Sequence, residues 1–178
     1  FYGCKNLTSV IISDNLTSIG YALFSECTKL TSVVIPDSLT DIPMYTFYGC
    51  QNLTSVTIGN GVTSVGLGAF YDCGFTSVVI PDSVTTIGDG AFKLNANLTS
   101  VVMPVSVKTI NMGAFDECPN LTSVYHKGTD SDWSAISIGE YNTQLTDATR
   151  YAYSENKPTT EGYFWHYVDG EIVVWDVV

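Results

Sequence analysis

Phenylalanine recurs at Phe1, Phe24, Phe47, Phe70, Phe92 and Phe115, at steps of 23, 23, 23, 22 and 23 residues. Each closes a similar unit, seen most plainly between Cys27 and Phe47. A fixed period in the low twenties restricts the chain to a solenoid. One such unit cannot bury its own apolar face and must stack on the next.

Within a unit the first signal is a trio of apolar residues such as Leu30, Val33 and Ile35. It returns as Leu53, Val56, Ile58; Phe75, Val78, Ile80; and Leu98, Val101, Met103. The last two members alternate with a residue of opposite direction, the period of a short strand. One strand per coil predicts a parallel ladder, ended by Pro36, Pro81 and Pro104 because proline cannot donate to it. A second apolar pair follows (Leu39 and Ile42, Val62 and Val65, Val84 and Ile87, Val107 and Ile110), set among Thr and Ser. This side reads as extended or turn-like. Gly20, Gly66 and Gly88 come next, suiting a sharp turn or a positive φ. The phenylalanines are expected to stack as a spine.

The five cysteines, Cys4, Cys27, Cys50, Cys73 and Cys118, fall three residues after a phenylalanine, and Asn95 fills the slot in the coil without one. An odd count at a constant offset is not a disulfide framework. Side chains stacked this way run parallel and do not converge, so buried, unpaired thiols are expected. No Cys-x-x-Cys or Cys–His motif points to a metal, and no cofactor is implied.

The formal charge of −11 argues against nucleic acid as a partner. No apolar run approaches the length of a membrane span, so no membrane insertion is expected within the chain. Opening on the last residue of a repeat, the chain is expected to be cut from a longer protein whose signal peptide and anchor lie outside it. The two histidines, His126 and His166, lack a motif partner, and no nucleophile elbow or phosphate loop occurs. The expectation is a non-enzyme. Asn-Leu-Thr recurs at Asn6, Asn15, Asn52, Asn97 and Asn120, which the repeat explains without glycosylation.

The consensus Leu-x-x-Val-x-Ile-Pro-x-x-Val-Thr-x-Ile-Gly-x-x-Ala-Phe-x-x-Cys resembles the BspA-like (Treponema-type) leucine-rich repeats over residues 1–125. The resemblance implies a β-rich solenoid, a right-handed superhelix, on secreted or cell-surface proteins connected with adhesion to host or neighbouring-cell proteins. Gly74-Phe75 lacks one residue of the pattern, and a local kink is expected there.

After Val124 the comb fails, and His126 stands where Ile35 and Ile80 stood. Residues 126–153 read as a C-terminal cap, with a short helix starting around Asp130–Trp133 and Asp130 or Ser131 as its N-cap. Residues 154–178 read as a linker and a β-hairpin turning at Asp169-Gly170. The hairpin pairs would be Val168 with Glu171, His166 with Val173 and Phe164 with Trp175 on one face, and Tyr167 with Ile172 and Trp165 with Val174 on the other.

The outward residues of the ladder form a serine column beside a mostly β-branched one. They include Ser9 and Ile11, then Ser32, Val34, Ser55, Thr57, Ser77, Val79, Ser100, Val102, Ser123 and Tyr125. Long charged side chains are missing there, so this face is the candidate for binding a protein partner. A glycan bound by Trp133, Trp165 and Trp175 is an alternative. A passive stalk is another.

Overall fold

A computed structural model describes residues 1–175. The chain is a β-solenoid with two parallel ladders. In the first, β1 (Ser32–Ile35) pairs with β3 (Ser55–Ile58), and β5 (Ser77–Val79), β7 (Ser100–Met103) and β9 (Ser123–His126) pair in turn. The second consists of two-residue strands: β2 (Asp41–Ile42), β4 (Ser64–Val65), β6 (Thr86–Ile87), β8 (Thr109–Ile110) and β10 (Ser137–Ile138). The apolar pair read as merely extended thus builds a sheet of its own. The first coil contributes a single bridge, Ser9 to Ser32.

The first ladder is interrupted between β3 and β5, the coil of Gly74 that is one residue short. There the Gly74 N–H donates to the carbonyl of Leu53, and a Cβ on Gly74 would sit 2.6 Å from the carbonyl oxygen of Gln51. The second ladder runs through the break from β4 to β6. The deletion therefore disturbs one edge of the coil and leaves the opposite edge in register.

Between the ladders lies the core. The six repeat-closing phenylalanines stack in succession, with centroids 5.7, 5.5, 5.4, 5.3 and 5.2 Å apart. Phe47, Phe70, Phe92 and Phe115 are fully buried, whereas Phe1, with no ring beyond it, is exposed. Beside the spine, the thiols of Cys27, Cys50, Cys73 and Cys118 donate to the carbonyls of Phe1, Phe24, Phe47 and Phe92 at 3.1–3.3 Å. Asn95 does the same with its amide, donating to Phe70 O at 2.8 Å. The thiol column therefore ties each coil to the one before it. All five cysteines are free, and Cys4 is exposed.

The glycine column behaves differently from the sequence expectation. Gly66 and Gly88 have no positive φ; a Cβ on either would come within 2.7 Å of the preceding coil's backbone. Close approach between coils selects them, and the left-handed turn falls two residues later, at Gly68 and Gly90.

Beyond the repeats, β9 leads into α1 (Asp130–Ser134), β10, α2 (Thr143–Asp147) and β11 (Thr149–Tyr153). The cap of α1 is Thr129, one residue earlier than expected. It shares a capping box with Asp132, while Asp130 pairs with Arg150. β10 adds to the second ladder, and β11 adds to the first, parallel to β9. These residues trace one more coil, with α1 replacing the turn from the first ladder to the second and α2 replacing the phenylalanine turn. The hairpin, β12 (Phe164–Val168) and β13 (Glu171–Val174), pairs in the expected register through Val168–Glu171 and Trp165–Val174. Trp175 N donates to Phe164 O at 3.0 Å, and Asp169 and Gly170 turn at φ 51° and 86°. β12 lies parallel to β11, so the hairpin docks on the end of the ladder.

Candidate functional site

Strand pairing holds the outward side chains in two straight columns. Ser32 faces Ser55, and Val34 faces Thr57; across the break, Ser77, Ser100 and Ser123 align, as do Val79, Val102 and Tyr125. Their neighbours Val33, Ile35, Val78, Ile80, Val101 and Val124 point into the core and are buried. Ile11, Val34 and Val79 are 96%, 62% and 51% exposed, with Thr57 and the serines Ser9, Ser32, Ser55 and Ser77 exposed around them. A hollow of about 440 Å³ opens beside this stripe, past the C-terminal ends of β1 and β3, between Val34, Thr57, Asp37 and Asn60.

The stripe is shorter than the sequence predicts. Val102 is 2% exposed, and Ser100, Ser123 and Tyr125 are half-buried. The cause is an aromatic group that the C-terminal strands lay over this end. Tyr125 stacks on Tyr151 at 5.1 Å and meets Trp165 edge-on at 5.6 Å. Tyr153 and Tyr167 close around the same indole, which is fully buried and donates from Nε1 to His126 O at 3.1 Å. Sequence reading missed this because β11 carries no repeat signature. Its one clue is the alternation Tyr151-Ala152-Tyr153.

The same group decides the tryptophans. Trp165 offers no face to a sugar. Trp175 stacks on His166 at 3.8 Å, and Trp133 packs against His126 and lies 5.5 Å from the Arg150 guanidinium. These rings already have partners within the chain.

The two histidines occupy different parts of the fold. His126 is buried in the column that holds isoleucine elsewhere, and its Nδ1 accepts from the Gly128 N–H at 3.2 Å. Burial holds its pKa below the ordinary histidine value. His166 lies on the hairpin against Trp175. Among the described residues no helix is long and apolar enough to cross a membrane. The Asn-Leu-Thr asparagines also have structural work: the amides of Asn52 and Asn120 donate to Thr28 O and Ala96 O of the preceding coil at 2.6 and 2.7 Å.

Comparison with known proteins matches residues 17–137 to six copies of the BspA type leucine rich repeat region. Among solved structures, a leucine-rich repeat protein from Bacteroides ovatus is 31% identical, with a TM-score of 0.67 over 85% of this chain. The chain spans 41% of that protein's length. The T. pallidum leucine rich repeat protein (24% identity, TM-score 0.52) aligns over 74% of this chain and 73% of its own. The pneumococcal vaccine antigen PcpA (19%, TM-score 0.55) aligns over 83% of this chain and 35% of its own. These two share the fold. None of the curated proteins matches in sequence. With its period, its two ladders and its phenylalanine spine, the chain belongs to the BspA-type leucine-rich repeat family.

Proposed function

We propose that this chain is a non-catalytic protein-binding module of a secreted or cell-surface protein, serving adhesion to a host or neighbouring-cell protein. The contact face is the outward side of the first ladder, from Ile11 through Val34 and Thr57 to Val79, flanked by Ser32, Ser55 and Ser77. One observation carries the reading: a stripe of exposed apolar side chains along stacked parallel coils, bordered by serine hydroxyls that make no hydrogen bond among the described residues. Serine and threonine supply donors and acceptors at little entropic cost, and the rigid backbone fixes their spacing. Ser100, Ser123 and Tyr125 form the border where the aromatic wall begins.

The surface location rests on the family and on neighbours such as a leucine rich cell surface protein from Faecalibacterium prausnitzii (24% identity, TM-score 0.50, over 78% of this chain and 52% of its own).

The test is differential capture of purified extracellular proteins by the wild-type chain and by a Val34→Glu/Val79→Glu variant matched to it in melting temperature. Loss of capture in the variant is the expected result; equal capture removes this face. Val102 is left out, because a carboxylate at that buried position would destabilise the fold by itself.

A further inference from the structure

The turn that carries each phenylalanine forms a third face, and along it runs a groove of about 370 Å³. Its floor is a column of left-handed residues, one per coil. In three successive inner coils these are Gly68, Gly90 and Gly113, at φ 57°, 56° and 60°. At the two ends of the groove the same position holds Tyr45 and Tyr141, at φ 57° and 62°. A bulky side chain in this region is a steric outlier that glycine relieves. The repeat uses glycine between the two tyrosines, so folding alone does not ask for the rings. The same position is Ala22 in the first coil, and the following turn carries left-handed Asp72, Leu94 and Glu117, so strain alone does not single out the tyrosines; bulky rings set in such positions at both ends of a groove do point to a role in binding.

The walls are aromatic. The ring of Tyr45 leans across Gly68, where a Cβ would come within 2.7 Å of its Cδ1 and Cε1. Tyr48 stands edge-on to Tyr45 at 5.8 Å and stacks on Tyr71 at 4.6 Å. At the far end Tyr141 is 63% exposed. The lining charge is negative. Asp89 and Asp116 border the groove, and the one lysine lining it, Lys93, sits between Asp116 at 2.8 Å and Glu117 at 3.0 Å. Its charge is therefore already compensated. Burial first, and then Tyr71, Glu26 and Asp72, hold the Tyr48 phenol above its ordinary pKa.

We propose that this groove binds an extended, arginine-bearing segment of a partner polypeptide, on a face separate from the serine–valine ladder. Guanidinium groups stack on tyrosine rings and pair with carboxylates; Asp116 is taken by Lys93, which leaves Asp89 as the carboxylate for the ligand, with no free cation in the lining to compete. A glycine floor admits a backbone that side chains would hold off. Four coil steps separate Tyr45 from Tyr141, roughly 20 Å at strand spacing, which suits about six residues of extended chain. Tyr48 and Tyr71 stack on each other, so the rings open to a guanidinium are those of Tyr45 and Tyr141 at the two ends.

The test titrates the full chain with a labelled peptide alternating arginine and serine, and with its citrulline counterpart, at physiological salt. The Tyr45→Gly/Tyr141→Gly variant is expected to melt no lower than wild type and to bind the arginine peptide about tenfold more weakly. Asp89→Asn keeps the acceptor for the Met112 N–H and should also weaken binding, which covers the case of a poorly folded tyrosine variant. Val34→Glu/Val79→Glu should bind the peptide as wild type does, so this site and the ladder fail or succeed separately. Unchanged affinity in both the tyrosine and the Asp89 variants, or equal binding of the citrulline peptide, overturns the proposal. So would a neutral oligosaccharide that perturbs the groove tyrosines when the arginine peptide does not.

Discussion

The side-chain oxygen of Asn142 accepts a hydrogen bond from the backbone N–H of Phe115 at 3.0 Å. In the inner coils that N–H finds a main-chain partner: Phe47, Phe70 and Phe92 donate to the carbonyls of Ala69, Ala91 and Ala114 at 2.8 Å. Asn142 stands in the alanine slot of the last coil, but its own carbonyl is engaged by Leu145 and Thr146 at the start of α2. The amide substitutes for it, and its Nδ2 donates to Asn111 O and Gly139 O at 2.8 and 2.9 Å. Asn142→Ala leaves three backbone groups without these partners. It should cost about 2–4 kcal/mol, read as a lower urea midpoint at unchanged m-value.

The phenylalanine spine makes a graded prediction. Phe70 is fully buried between two stacked rings, and Phe70→Ala should cost ~3–5 kcal/mol including the cavity. Phe1 is exposed and stacks on one side only, so Phe1→Ala should cost less than about 1 kcal/mol. Denaturant unfolding of the two variants checks the contrast. Equal costs would mean the spine is not what binds coil to coil.

Burial pushes the Cys50 thiol up to about 12 and that of Cys118 to about 11, and raises Cys27 and Cys73 as well. A thiol raised in the folded state stays protonated where the unfolded chain has already lost its proton. Its contribution is intact below the unfolded pKa, near 8.5, and fades as pH climbs toward the folded value. His126 works from the other side. Its pKa is lowered, so its contribution is whole above about 6.5 and is lost as pH falls through the folded value. Melting temperature should therefore decline on both flanks of that window. At pH 8 a thiol reagent should label Cys4 alone until the chain unfolds.

Periodicity made the solenoid legible because every coil solves the same burial problem with the same residues. Phe70 and Phe92 announce the spine, and the alternation through Val33 and Ile35 announces the first ladder. The hairpin was equally readable from Asp169-Gly170, down to the partner of each residue. The second ladder was not, since pairs such as Val62 and Val65 are three apart and do not alternate. The burial of Val102 was hidden for a different reason. Its ladder neighbour Tyr125 is held by Tyr151 and Trp165, residues far along the chain, and no local pattern records such contacts. The groove tyrosines Tyr45 and Tyr141 were likewise invisible, because sequence does not display a positive φ.

Trp165 fastens the last strands to the ladder, and its removal tests whether the array unfolds from its end. Trp165→Ala deletes a fully buried indole, the bond to His126 O, and the edge contacts with Tyr125, Tyr153 and Tyr167. The local cost should be about 3–5 kcal/mol. Each coil of a solenoid touches only its neighbours, so the damage should stay local. Amide hydrogen exchange should accelerate through β11, β12 and β13 and remain slow in β4 and β6, two coils or more away. Uniform acceleration along the whole chain would instead mean that the hairpin and the repeats form one cooperative unit, with Trp165 essential to all of it.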